Sequence, residues 1–161
     1  MYSENLKRMI QLAEDVFAVK TDPDQLDVNQ EVIERLKEIH PATLSEYDDG
    51  NGPVAWILLI PTTKVLMEEF LEGKISEKQL FDLTPLKETY NSIYLCSAIV
   101  LEEYRRQGIA KRLTLEAINN IRKDHPITSL FVWPFSAEGD LASETLSGLT
   151  ALPLFKRSAH K

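Results

Sequence analysis

The feature that most constrains this chain is the stretch from Ser92 to Lys123, where an apolar run passes through a charged turn into an amphipathic segment. Ile93-Tyr94-Leu95-Cys96-Ser97-Ala98-Ile99-Val100-Leu101 is short, unbroken and rich in β-branched and aromatic residues, the pattern of a buried strand. The turn is Arg105-Arg106-Gln107-Gly108-Ile109-Ala110. Beyond it Ile109, Leu113, Ala117, Ile118 and Ile121 recur at helical spacing, with Lys111, Arg112, Glu116 and Arg122 between them. A buried strand that feeds a glycine turn and then a helix is where α/β proteins bind anionic phosphates.

Three properties of such a turn suit an anion. Gly108 permits close approach of the backbone, the first amides of the following helix lack intrahelical partners, and the helix dipole adds partial positive charge. Arg105, Arg106, Lys111 and Arg112 deepen that potential. A charge run by itself reads as a solvated helix face, and it is the position at a strand-to-helix turn that raises the second reading. The P-loop pattern and the dinucleotide-binding glycines are both missing.

The remaining elements follow in order. Ser3 caps a helix over residues 3–19 along Leu6, Met9, Ile10, Ala13, Val16 and Phe17. A second helix starts either at Asp22-Pro23-Asp24-Gln25 or at Asn29 and ends at His40-Pro41, where His40 reads as a partner of the helix dipole. Thr43–Tyr47 and Val54–Ile60 read as a hairpin around Asp48-Asp49-Gly50-Asn51-Gly52, with Pro61 ending the second strand. Two short helices parted near Gly73 are expected between Thr62 and Tyr90, with Pro85 stopping the second. After a break at His125-Pro126, Thr128–Trp133 is a second buried strand, parallel to the first through a strand-helix-strand crossover. Ala137–Leu149 is a last helix that Gly148 helps to end, Leu152–Lys156 an edge strand, and Ser158–Lys161 a fraying tail.

Composition sets limits on function. A length of 161 residues suits a single domain over 1–161 with its own core. No apolar run approaches the roughly 20 residues of a membrane helix, and the N-terminus is unlike a signal peptide. The single cysteine, Cys96, fits a reducing compartment, so a cytoplasmic protein with no membrane partner is expected. Residues 1–50 hold twelve acidic and five basic side chains, the whole of the net charge of -7, which disfavours nucleic acid as a partner. No second histidine stands at metal spacing from His40, and no metal is expected.

The block Ala98-Ile99-Val100-Leu101-Glu102-Glu103-Tyr104-Arg105-Arg106-Gln107-Gly108-Ile109-Ala110 resembles the acyl-CoA motif of the GNAT superfamily of N-acyltransferases, [QR]-x-x-G-x-[GA] following a strand. The match covers about 30 residues around that motif. The resemblance implies an α/β (α+β) single-domain GNAT-like fold. Its central sheet would be mixed and mostly antiparallel, with a splayed parallel strand pair, flanking helices and a helical insertion before the motif strand. It implies that backbone groups of Ala98 and Val100 pair with the pantetheine arm. Amides of Arg105, Arg106, Gln107, Gly108, Ile109 and Ala110, helped by Lys111, would hold the pyrophosphate. Ser129–Trp133 would lie opposite Ser97–Val100, with Trp133 and Trp56 as lining residues or plain core.

The implied reaction moves an acetyl or other small acyl group from acetyl-CoA to a primary amine by direct attack. The acceptor is a small-molecule amine or a lysine side chain, and a homodimer is left open. The acidic first 50 residues point to a cationic acceptor. Two groups that such chemistry uses are absent from their usual places. No carboxylate lies within Ser92–Leu101, so the base is a water chain or a residue of another segment. No tyrosine lies within Ala137–Leu149, so the acid falls to Tyr94, Tyr104 or no group at all. Cys96, inside an apolar strand, reads as core. A catalytically silent acyl-CoA-binding domain, and an interaction domain whose basic turn binds nothing, stand as alternatives.

Overall fold

A computed structural model of the protein describes residues 3–19, 30–134 and 137–157. The helices are α1 (Glu4–Val19), α2 (Gln30–Ile39), α3 (Lys64–Leu71), α4 (Glu77–Leu83), α5 (Ile109–Asp124) and α6 (Ala137–Thr150). The strands are β1 (Leu44–Asp48), β2 (Pro53–Thr62), β3 (Ser92–Val100), β4 (Ser129–Val132) and β5 (Leu154–Lys156), side by side in sequence order. β1, β2 and β3 run antiparallel, and β3, β4 and β5 run parallel. The sheet is therefore mixed, with the longer ladders antiparallel, in a single GNAT-like α/β layer arrangement flanked by helices.

Local chemistry sets the boundaries of these elements. Ser3 Oγ accepts from Leu6 N–H at the start of α1. The hairpin turn closes on Asp48, whose Oδ1 accepts from Gly50 and Gly52 amides. A Cβ at Gly52 would clash with Ser3 Oγ, so this glycine makes room for the start of α1. α3 and α4 form the inserted pair, separated at Gly73 with its φ of 79° and begun by Thr63 and by a reciprocal Ser76–Gln79 capping box.

Some boundaries differ from those the sequence leads one to expect. β2 runs through Pro61 to Thr62, because β1 pairs with it only as far as Leu58. Thr62 O accepts from Asn91 N–H, so the neighbouring Pro61 turns its nitrogen away from β3, to the side where no donor is needed. α6 runs through Gly148, and Ala151, at φ 59°, takes the left-handed position after it. The described part of α2 starts at Gln30; both of its expected starts, at Asp22–Gln25 and at Asn29, and the tail at Ser158–Lys161 lie outside the described residues. His40 also makes two side-chain contacts beyond the end of α2. Its Nδ1 accepts from Ala42 N–H to begin a 3₁₀ turn at Pro41–Thr43, and its Nε2 meets Asp124 Oδ2 at 2.6 Å.

Two apolar clusters hold the molecule together. The larger joins β2, β3 and β4 to α2, α3, α4 and α5 through Leu36, Ile60, Phe70, Leu80, Ile93, Tyr94, Ile118, Ile121 and Phe131. Within it Phe70 sets its ring edge-on to Tyr94, Phe131 and Trp133. The smaller joins α1 to the other half of the sheet through Met9, Val54, Ile99 and Leu101, with Trp56 and Tyr104 packed against it.

Candidate functional site

The site follows from where β4 stops. β4 pairs with β3 only over Ser92–Leu95, opposite Ser129–Val132, while β3 continues five residues further to Val100. The expected juxtaposition of Ser129–Trp133 with Ser97–Val100 is thus replaced by an earlier register, since β4 is four residues long and Pro134 follows it closely. On its other side β3 pairs with β2, Leu58 opposite Ser97 and Leu59 opposite Leu95, which leaves Cys96 as the extra residue of a bulge. Past the bulge, Leu101 N–H donates to Val54 O, so Ile99 and Leu101 turn their backbone polar groups toward β2. By alternation Ala98 and Val100 turn theirs to the side that β4 has vacated. Ala98 is exposed, and Val100 O accepts from Arg105 Nε at 2.9 Å.

From Val100 the chain makes a 3₁₀ turn, Glu102–Tyr104, and then the glycine turn. Arg106 (φ 64°) and Gly108 (φ 79°, ψ 8°) are both left-handed, and together they curl the backbone into the start of α5. Gln107 Nε2 donates to Glu103 O, and Arg112 N–H donates to Gly108 O as the first bond of the helix ladder. The amides of residues 108–111 precede that bond and have no intrahelical acceptor. Nothing lies within 4 Å of a Cβ built on Gly108, so the space above the turn is open. Ile109 is buried and anchors the helix to the core, Ala110 is half-buried, and Arg105, Arg106, Gln107 and Lys111 are exposed around the rim. The fold thus brings the turn residues together with the polar edge of Ala98 and Val100 along one continuous path.

Two carboxylate contacts fix this path to the rest of the molecule. Arg8 of α1 makes a two-pronged ion pair with Glu103 at 2.6 Å, which pulls the Glu103 carboxyl down to about 2. The Tyr104 hydroxyl donates to Asp49 in the β1–β2 turn, raising the phenol and lowering the carboxyl. Tyr104 is therefore engaged in holding two turns together.

The other expected residues separate. Trp56 packs against the α1 cluster and donates to Glu46 Oε1 at 2.8 Å. Trp133, just past β4, is buried beside Phe70, with the Arg157 guanidinium 4.4 Å from its ring centre. Tyr94 is buried and donates to Glu77 Oε2 at 2.6 Å; burial and then the Glu77 charge push its hydroxyl well above the usual phenol value. Cys96 Sγ lies 3.8 Å from the same oxygen. Sequence reasoning passes over Glu77 and Arg157: an acid in the first turn of a helix and a cation near a chain end are ordinary surface signals, and only tertiary packing makes them interior groups.

An open depression of about 370 Å³ lies elsewhere, lined by His40, Pro41, Ala42, Ser45, Asn120, Lys123 and Asp124. It sits at the far end of α5, whose 16 residues span about 24 Å, and so is remote from the glycine turn. Among the described residues no group of three or more His, Cys, Asp or Glu is placed to hold a metal, and no helix is long and apolar enough to cross a membrane.

No family model and no curated protein sequence matches the chain. Among solved structures it is similar to Naa20 of Chaetomium thermophilum in complex with a bisubstrate analogue, at 14% identity and a TM-score of 0.50, covering 86% of this chain. The chain spans 64% of the length of that protein's chain. At this identity the likeness is one of fold, and the fold that the strand-turn-helix block resembles is the fold the chain has.

Proposed function

We propose that this protein is an acyl-CoA-dependent N-acyltransferase that moves a small acyl group, acetyl first among them, to a primary amine. The observation that carries the reading is the continuity between the polar edge of β3 at Ala98 and Val100 and the open amides that precede the α5 ladder at Gly108. An extended arm laid along the strand edge would find main-chain partners there, and its pyrophosphate would meet helix amides and the rim of Arg105, Arg106 and Lys111. Gln107, Ile109 and Ala110 complete that turn. The similarity in fold to a protein solved with a bisubstrate analogue agrees with transfer between two substrates held at once. In this reading the acceptor is a cationic amine, in keeping with the acidity of the first 50 residues.

The test has two stages. CoA at 100 times its dissociation constant stabilises a protein by about 2.7 kcal/mol, so a clear rise in Tm is expected for the parent and none for Gly108→Asp, which sets a carboxylate in the phosphate position. Release of free thiol from acetyl-CoA in the presence of an amine panel then reports turnover. A second reading, a silent acyl-CoA-binding domain, draws on the lack of any tyrosine in α6. It predicts the same rise in Tm with no thiol release.

A further inference from the structure

We propose that Glu77, carried into the interior by the helical pair between β2 and β3, takes the proton from the acceptor amine. The inference rests on the acyltransferase reading and supplies the base that the β3 sequence itself lacks.

Its ground is the position of a buried carboxylate. Glu77 is 6% exposed and stands in the first turn of α4, behind the Ser76 cap. Its Oε2 meets β3 at two residues that bracket the end of the parallel ladder: Tyr94, which is still paired with Phe131, and Cys96, the bulge residue one step past the last pair. The parallel strands β4 and β5 end at the same place. Trp133 follows β4, and Arg157 follows β5 with its own amide bonded to Val132 O. Carboxyl ends of parallel strands are where open α/β sheets present their ligand sites. A carboxylate in the interior is costly to keep there, and this one is held at the point where two parallel strands diverge.

The surroundings agree with that role. Among the described residues, Cys96 from β3 and Arg157 from beyond β5 act on the Tyr94 hydroxyl beside Glu77, while α3 presents the uncharged Phe70 and the residue after β4 the uncharged Trp133. Burial and then the Glu77 charge hold the Tyr94 hydroxyl well above the usual phenol value, so it keeps its proton and keeps donating to Oε2. Arg157, stacked between Phe70 and Trp133 at 4.4 Å from each ring, adds a fixed positive charge nearby.

The step balances as follows. An ammonium acceptor gives one proton to Glu77, and the nitrogen lone pair then attacks the thioester carbonyl carbon to form the C–N bond. The C–S bond breaks with its electron pair going to sulfur, which takes the second nitrogen proton. Glu77 releases its proton to water, leaving an amide and a thiol.

The experiment compares the parent with Glu77→Gln and Tyr94→Phe by CoA-induced stabilisation and by thiol release across pH. Glu77→Gln is expected to keep the rise in Tm with CoA, which also reports that it folds, and to lose about 10²- to 10⁴-fold in kcat together with the acid limb of the pH profile. Tyr94→Phe removes a hydrogen bond to the carboxylate and leaves the carboxylate itself in place, so it is expected to keep that limb and to lose less in kcat than Glu77→Gln does. Turnover by Glu77→Gln with the parent kcat and pH profile overturns this assignment alone. A parent protein that CoA does not stabilise overturns the acyltransferase reading, and the assignment with it.

Discussion

Arg8 and Glu103 stand 95 residues apart and meet in a two-pronged ion pair, each guanidinium nitrogen 2.6 Å from a carboxylate oxygen. The contact ties the first helix to the 3₁₀ turn that leads into Gly108, so the N-terminal segment helps to set the geometry of a turn far along the chain.

This pair makes stability depend on acid. Glu103 is held at about 2 against its usual 4.5, so the folded state binds its proton more weakly than the unfolded chain. Its contribution is fully present above about pH 4.5 and disappears as the pH falls through about 2. Thermal melts of parent and Arg8→Ala are expected to differ at neutral pH and to converge near pH 2. Parallel curves over the whole range would show that the pair contributes nothing.

At Gly108 the cost of a side chain is one of backbone alone. A Cβ there meets no atom within 4 Å, yet a φ of 79° is unfavourable for any L residue. Gly108→Ala is expected to lose about 1 to 2 kcal/mol in urea unfolding. A larger loss would mean a clash that the open surroundings do not contain.

Phe70 is fully buried and touches three aromatic rings and a guanidinium. Phe70→Ala is expected to cost about 3 to 5 kcal/mol, read from denaturant midpoints at constant m. Part of that loss reflects Arg157, which would keep its burial and lose one of its two stacking partners.

Ser76 begins the helix that carries Glu77. Its Oγ accepts from Gln79 N–H at 3.0 Å, and Gln79 Oε1 answers at Ser76 N–H at 2.9 Å. Ser76→Ala removes one half of this box and is expected to cost about 1 kcal/mol. Ser76→Asp, which keeps an acceptor at the cap, should restore most of it in the same melts.

Much of the architecture was legible because its signals are local. The apolar run of β3, the helical spacing after Gly108 and the break at Gly73 each act over a few residues, and each lies where its own chemistry puts it. Less legible was whatever depends on a neighbour. Pro61 is admitted to a strand because β1 pairs with β2 only as far as Leu58, and Ala151, where the sequence favours Gly148, takes the left-handed position because α6 runs two residues beyond that glycine. The candidate site divides in the same way. The glycine turn announces itself through composition, whereas Glu77 and Arg157 become interior groups only once α3, α4 and β5 have closed over the end of β4.

The bulge in β3 has a consequence for how the strand tolerates change. Before Cys96, even-numbered residues such as Tyr94 share a face with Ile60; after it, the odd-numbered Ser97 and Ile99 face the same way, opposite Leu58 and Trp56. The strand is thus two runs spliced out of phase, one fitted to the inserted helices and the other to α1. Losing a residue elsewhere in β3 would turn one run inside out, whereas Cys96 is the stitch between them, whose removal leaves both facing as they do.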